Sequence, residues 1–327
     1  MTAGESDVRV VGDTVPVTSS VRRWVPGWAV DPPLVLGGLR RGAGDPTYGS
    51  EPGTRTVWRA TRTPDGPVTL RVTPRAGEVE AEAWGPGADW ALDGVPELLG
   101  ARDSLDGFEP VHPVLARAAR RFASYRVPRT RAVFEAMAGA GIEQVVTGQE
   151  AFRAWRVLVR TYGEPAPGPG AELRMAVPPM PHEWRLIPSW QWLRSGVEGR
   201  RSRVVITAAT RAAALERTLE LDDMTEVERR LRSLPGVGVW TAAEVRQRAH
   251  GDADAFSFAD YHVSRNVSYA LTGEELDDDG CAEIIEPYRG HRFRVQRLLE
   301  LAGIGHPRRG PRKALPTHVP AATHRLL

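Results

Sequence analysis

The residues with the clearest chemical potential are Leu234-Pro235-Gly236-Val237-Gly238 and, 25 positions beyond Pro235, Asp260. Two glycines one residue apart let a chain turn tightly between helices and let another group approach the backbone closely. Val239 starts a helical pattern, so Gly236 and Gly238 would present N–H groups at the positive end of a helix, where a phosphate is favoured. Thr241 adds a hydroxyl one turn in. Such a turn grips a phosphate backbone without reading sequence; it also serves as a plain helix–helix connection. Asp260 precedes an apolar-periodic stretch (Val263, Val267, Ala270, Leu271) that ends at Gly273. A carboxylate at that position caps a helix. Held ionised by the helix dipole, it can also stabilise developing positive charge and orient water. Asp252 and Asp254 have the look of a metal pair, but acids grouped in a loop read more simply as solvated turn residues, so no metal site is expected.

These groups need helices to hold them, and the second half of the chain supplies the patterns. Arg131 to Gly141 reads as one helix. Thr147-Gly-Gln-Glu150 reads as a capping box before Ala151, Phe152, Trp155, Leu158, Val159 and Tyr162, with Gly163 as a stop. Residues 164–183 are proline-rich and read as a long connector. Thr225-Glu-Val-Glu228 reads as a second capping box, opening a helix to about Ser233; Val239 to His250 resumes after the glycine turn, and a last helix covers about Gly290 to Ala302. Earlier, Thr56-Val-Trp-Arg-Ala-Thr-Arg and Val68-Thr-Leu-Arg-Val-Thr flank Pro64-Asp65-Gly66, a hairpin signal, and Glu78 to Trp84 reads as a third strand. The expected organisation is a partly irregular segment over 1–52, a small antiparallel β domain over 53–110, a helical region over 111–307, and a basic tail over 308–327. The expected class is mainly α, α+β overall.

Bulk properties exclude several alternatives. Apolar content of 41% and charged content of 26% fit a globular chain. No apolar run approaches the roughly 18 residues of a membrane span, and the polar, acidic start lacks a secretory pattern, so a cytoplasmic protein is expected. The single cysteine, Cys281, excludes an internal disulfide and a cysteine-ligated zinc or iron–sulfur site. A net charge of +2 does not announce a nucleic-acid partner, but local blocks are basic. His112 to Arg131 holds six arginines and no acid, and Glu286 to Lys313 holds eight Lys/Arg against two Glu. Such blocks could neutralise phosphates or could be solvated helix faces. Lys313 is the only lysine in the chain.

The string Leu234-Pro-Gly-Val-Gly-Val-Trp-Thr-Ala242, followed by Phe256-Ser-Phe-Ala-Asp260-Tyr261, resembles the helix-hairpin-helix (HhH-GPD) DNA glycosylase superfamily, most closely its 3-methyladenine DNA glycosylase II branch. Gly141-Ile-Glu-Gln-Val-Val-Thr147 is similar to the segment that inserts a side chain into the DNA stack. Arg59 to Pro67 resembles the N-terminal strands of actinobacterial-type members. The resemblance covers roughly residues 35–303 and is most specific between 231 and 261.

That resemblance implies a helix-hairpin-helix glycosylase fold and a partner, double-stranded damaged DNA, bound by a monomer at the nucleoid. It implies Asp260 as the catalytic residue. Pro235, Gly236, Val237, Gly238 and Thr241 would be the backbone clamp, with Val145 filling the vacated stack and Gln144 beside it. Trp240, Glu244 and Tyr261 would line the base pocket. A cationic methylated purine would suit the face of Trp240, and Trp240 also suits plain core packing. No cofactor is implied, although a monovalent cation could sit at the hairpin. Bifunctional members carry a lysine where Trp240 stands, and its amine forms a Schiff base that leads to strand cleavage. Without it, hydrolysis of alkylated purines in base excision repair, leaving an abasic site, is the expected activity. Glu244 stands where the branch has a pocket tyrosine, and Glu300 falls near a later pocket tryptophan. These substitutions keep open a deaminated or bulky lesion as substrate, and a damage-binding protein without catalysis is the remaining alternative. His262 reads as a phosphate contact or as an ordinary surface histidine.

Overall fold

A computed structural model describes residues 18–306 of the 327-residue chain; the basic tail from Arg308 lies outside them. Five strands form one antiparallel sheet: β1 (Ser19–Trp24), β2 (Tyr48–Ser50), β3 (Val57–Thr63), β4 (Gly66–Pro74) and β5 (Val79–Trp84), in the order β1-β5-β4-β3-β2. The β3–β4 hairpin turns at Pro64-Asp65, with the Thr63 hydroxyl donating to the Gly66 carbonyl at 2.9 Å. The hairpin stands where its signal places it, but its strands do not alternate in burial: β3 is buried at every residue but Arg62, and β4 at most of its residues. The outer strands β1 and β2 come from the segment expected to be irregular, and they pair with β5 and β3.

Both faces of the sheet are covered, so little of it is left to solvent. One face packs Val57, Leu70, Val72 and Ala81 against Val35, Leu36, Leu39, Leu92 and Leu99. On the other, Trp58 and Trp84 stack at 5.6 Å beside Met175 and Val177. Those last residues belong to the proline-rich stretch, which is therefore no free connector. Glu164–Pro165 pairs with Ala176–Val177 as a short ladder, and a helix follows at Pro181–Leu186. No helix among the described residues is long and apolar enough to cross a membrane.

The helical part is centred on α1 (Val133–Glu143), which is apolar on nearly every face and buried on nearly every face. Glu135 anchors it to the sheet, receiving Arg59 at 2.7 Å and the Thr61 hydroxyl at 2.5 Å. Helix α2 (Gly148–Tyr162) opens with the expected capping box between Thr147 and Glu150. It packs Trp155 into a stack with Trp184 and Trp192, at 6.1 and 5.6 Å. Helix α3 (Gly199–Thr210) lies against α1. Helix α4 (Met224–Arg232) is capped by Asp223, whose carboxylate accepts from the Thr225 amide at 2.8 Å, not by the expected Thr225–Glu228 box. Glu228 faces Arg246 and Arg232 instead. Helix α5 (Val239–Val245) runs into a π-helical turn over Arg246–His250, closed by Gly251. Helices α6 (Val263–Thr272) and α7 (Arg292–Ala302) build a further cluster around Tyr125, Phe256, Tyr288 and Leu299.

Among the described residues, part of the arginine in the basic blocks is engaged within the protein and part is exposed. Arg294 pairs with Asp103, their side chains 1% and 2% exposed. Arg289 pairs with Glu286, Arg292 with Asp254, and Arg297 with Glu300. In the earlier block, Arg129 reaches Glu97 at 3.2 Å and Arg131 lies over Trp90 at 4.0 Å, while Arg117, Arg120 and Arg121 remain exposed. Asp252 and Asp254 are ion-paired turn residues, bonded to Arg246 and Arg292, and not the solvated acids expected.

Candidate active site

The glycine turn joins α4 to α5 as expected. Leu234 and Val237 point into the core, and the Val237 amide closes the turn on the Leu234 carbonyl at 3.1 Å. Gly236 has φ +84, and a Cβ there would stand 2.7 Å from Val204 on α3. Both the dihedral and the space require glycine. Gly238 is the N-cap of α5 in extended backbone, and a Cβ there meets nothing within 4 Å. Pro235, Gly236 and Gly238 are exposed. The first amides of α5 have no acceptor within the helix and carry its positive end. Val237 can offer such a partner only its backbone. Thr241 is buried, so its hydroxyl does not face a backbone phosphate; it accepts from Gln144 Nε2 at 2.9 Å.

Gln144 also donates to the Gly236 carbonyl at 3.0 Å, so the loop after α1 is fastened to the hairpin at two points. Val145 follows it at 94% exposure with φ +55. That dihedral is strained for a β-branched residue. The loop thus holds one apolar side chain out in water beside the turn.

A cleft of about 290 Å³ lies where three hydrophobic clusters meet. Val35 and Leu39 come from the sheet side, Val146 and Phe152 from the α1–α2 side, and Tyr125 and Phe293 from the α6–α7 side. Trp240, Glu244 and Asp260 all line it, together with Glu300. Trp240 is half-buried. Asp260 Oδ1 accepts from the amides of His262 at 2.8 Å and Val263 at 3.1 Å, which caps the start of α6.

The other lining carboxylates are neutralised. Glu143 pairs with Arg41 at 3.1 Å, Glu300 with Arg297 at 3.0 Å, and Glu244 with Arg248. Burial opposes charge on Arg248, but Glu244, with Glu143 and Glu300 adding to it, outweighs burial and holds the guanidinium above its ordinary pKa. Among the described residues, Asp260 is the lining carboxylate with no guanidinium partner. The unpaired carboxylate of the cleft is therefore the residue the spacing singled out.

Tyr261 is not brought to the cleft. It is 72% exposed, under Arg265 at 4.8 Å and edge-on to His262. Ala259 at φ +63 turns the chain so that Asp260 faces inward and its neighbour outward. His262 is exposed and contributes its amide to Asp260. Sequence reasoning missed Gln247, Arg248, Gln296 and Arg297, all on the cleft wall. Arg248 stands four residues after Glu244, an ion-pair spacing that would have flagged it. Gly38 and Leu39 also line the cleft, and no local pattern marks them.

No family model matches the chain, and no curated protein matches its sequence. Solved structures do share its architecture. The 3-methyladenine DNA-glycosylase from Archaeoglobus fulgidus superposes with TM-score 0.68 at 20% identity, over 85% of this chain and 96% of that one. MBOgg1 in complex with a low affinity DNA ligand gives 0.65 at 15%, over 86% and 94%. The Clostridium acetobutylicum 8-oxoguanine glycosylase/lyase, in complex with double-stranded DNA containing cytosine opposite 8-oxoguanine, gives 0.55 at 12%, over 76% and 88%. The chain therefore shares the fold of these DNA glycosylases.

Proposed function

We propose that the chain is a monofunctional DNA glycosylase that hydrolyses the N-glycosidic bond of alkylated purines, of the 3-methyladenine and 7-methylguanine type, in damaged duplex DNA. The observation that carries this is the cleft in which Asp260, among the described residues, is the lining carboxylate without a guanidinium partner, with Trp240 also lining it. The chain would act as a monomer at the nucleoid and leave an abasic site in base excision repair.

The hairpin amides at Gly236 and Gly238 hold a backbone phosphate. Val145 enters the stack as the target nucleotide leaves it. The base enters the cleft beside Trp240, which favours a cationic ring through its π-face. As the C1′–N bond breaks, the base departs with the electron pair and positive charge grows at C1′. Asp260 stabilises that charge and orients water, whose oxygen bonds to C1′ and whose proton passes to the carboxylate and then to solvent. A methylated purine that was cationic leaves neutral. This chemistry requires water and one carboxylate.

Two outcomes follow from the loop and from the lysine content. Val145→Gly removes the wedge and relieves the positive φ. Excision should slow about tenfold or more, while the melting temperature does not fall; a matched loss of stability and rate would assign Val145 a structural role only. Because Lys313 is the only lysine and Trp240 occupies the hairpin position, borohydride added during turnover should trap no protein–DNA adduct and the strand should stay intact. A trapped adduct would overturn the monofunctional assignment. The overall proposal is tested by incubating the protein with methylated DNA and measuring free bases; no release of any methylpurine would overturn the alkylpurine substrate.

A further inference from the structure

One wall of the cleft is a closed polar network whose hydrogen bonds fix each group's role. The Ser257 hydroxyl donates to Glu244 Oε1 at 2.8 Å, so its oxygen can only accept from its other neighbours. It accepts from Gln247 Nε2 at 2.8 Å and from Gln296 Nε2 at 3.2 Å. The second Gln247 N–H goes to the Ala255 carbonyl at 2.7 Å. A carbonyl demands a donor, so the amide cannot be flipped. Both hydrogens of Gln247 are thereby committed, and Oε1 has no partner among the described residues. The side chain is only 4% exposed, and it lines the cleft. Gln247 therefore leaves a bare acceptor on a buried wall.

Next along the same π-helical turn is Arg248, also on the wall. Its Nη1 is engaged by the Glu244 carboxylate and the Glu244 carbonyl. Nε and Nη2 have no partner among the described residues, and the side chain lines the cleft. The wall thus presents an acceptor and an adjacent charged donor, both unsatisfied until something enters.

We propose that this pair reads a cyclic amide on the extruded base, Arg248 donating to its C=O and Gln247 Oε1 accepting from its ring N–H, so that the site takes guanine-type alkylpurines and deaminated adenine ahead of adenine-type bases. The inference rests on the glycosylase assignment and narrows its substrate class. An adenine edge carries the opposite order, an amino donor beside a ring-nitrogen acceptor, and sets donor against donor at Arg248. Turning the base over does not rescue the match, because the sugar bond must face Asp260. Sites with buried, committed polar groups reject the wrong pattern strongly, since rejection leaves those groups unpaired.

The test compares 7-methylguanine with 7-methyladenine, which share the methyl position and the charge, in otherwise identical duplexes under single-turnover conditions. Each rate is divided by the base's spontaneous loss. The proposal expects 7-methylguanine to be released at least tenfold faster, on the order of one good bidentate contact, and hypoxanthine to be released ahead of adenine. Gln247→Leu should bring the two methylpurine rates to within about a factor of three. Equal wild-type rates, or faster 7-methyladenine, overturn the amide reading while leaving a glycosylase in place. Release of hypoxanthine with neither methylpurine keeps the amide reading and removes the alkyl one. Release of no base at all removes both.

Discussion

Asp260→Asn lowers single-turnover excision by at least about a hundredfold, within the roughly 10²–10⁴ that charge stabilisation and water orientation supply, and leaves folding and DNA affinity in place. The separation is built into the site. Asparagine is as good a helix cap as aspartate, and its Oδ1 can keep both bonds that Asp260 makes, to the amides of His262 and Val263. What disappears is the charge. No neighbouring carboxylate can replace it, because Glu143, Glu244 and Glu300 each face a guanidinium. The measurement is the rate of free-base release beside a binding isotherm and a melting curve. Equal release from the variant would turn the protein into a damage-binding module whose cleft does no chemistry.

Gly238→Asp lowers DNA affinity by about ten- to a hundredfold without destabilising the protein. Gly238 has ordinary extended backbone and open space where a Cβ would stand, so the substitution is accommodated. Aspartate is also a favoured N-cap, so stability should be unchanged or a few tenths of a kcal/mol higher. The same carboxylate occupies the seat of a phosphate. One ion contact is lost and a repulsion of about 1–4 kcal/mol replaces it, depending on how dry the contact is. The gap between wild type and variant should narrow as salt rises. Equal affinities at matched low salt would show that the turn is only a connection between α4 and α5.

The parts that were legible in the sequence are those where one residue type is required locally. Gly236 is demanded by its dihedral and by Val204, and the Thr147–Glu150 box and the β3–β4 hairpin are set by near neighbours. Asp260 was legible from its interval to the hairpin. The misses have tertiary causes. In β1, Ser19-Ser-Val-Arg-Arg-Trp24 shows no apolar alternation, and it is a strand because β5 offers an edge. In β2, three residues are too few to carry a period. Tyr261 was misplaced because alanine at position 259 gives no hint of a positive φ. For the arginine-rich stretches phosphate contact and solvated faces both stood open, because acidic partners such as Asp103 and Glu97 are distant in sequence. The cleft wall at Gln247 and Arg248 combines a simple ion-pair spacing with an orientation that only the π-helical turn and Ser257 determine.

The double fastening of Gln144 to Gly236 and Thr241 makes the protruding Val145 and the hairpin one rigid piece. If the chain acts as proposed, such a piece would be a ruler. The stretch of strand between the gripped phosphate and the nucleotide levered outward would be set by the protein, not by the lesion. Inspection would then advance in whole-nucleotide registers, with Val145 at each stop testing the same place in the stack, and only a weakly stacked base would yield to it.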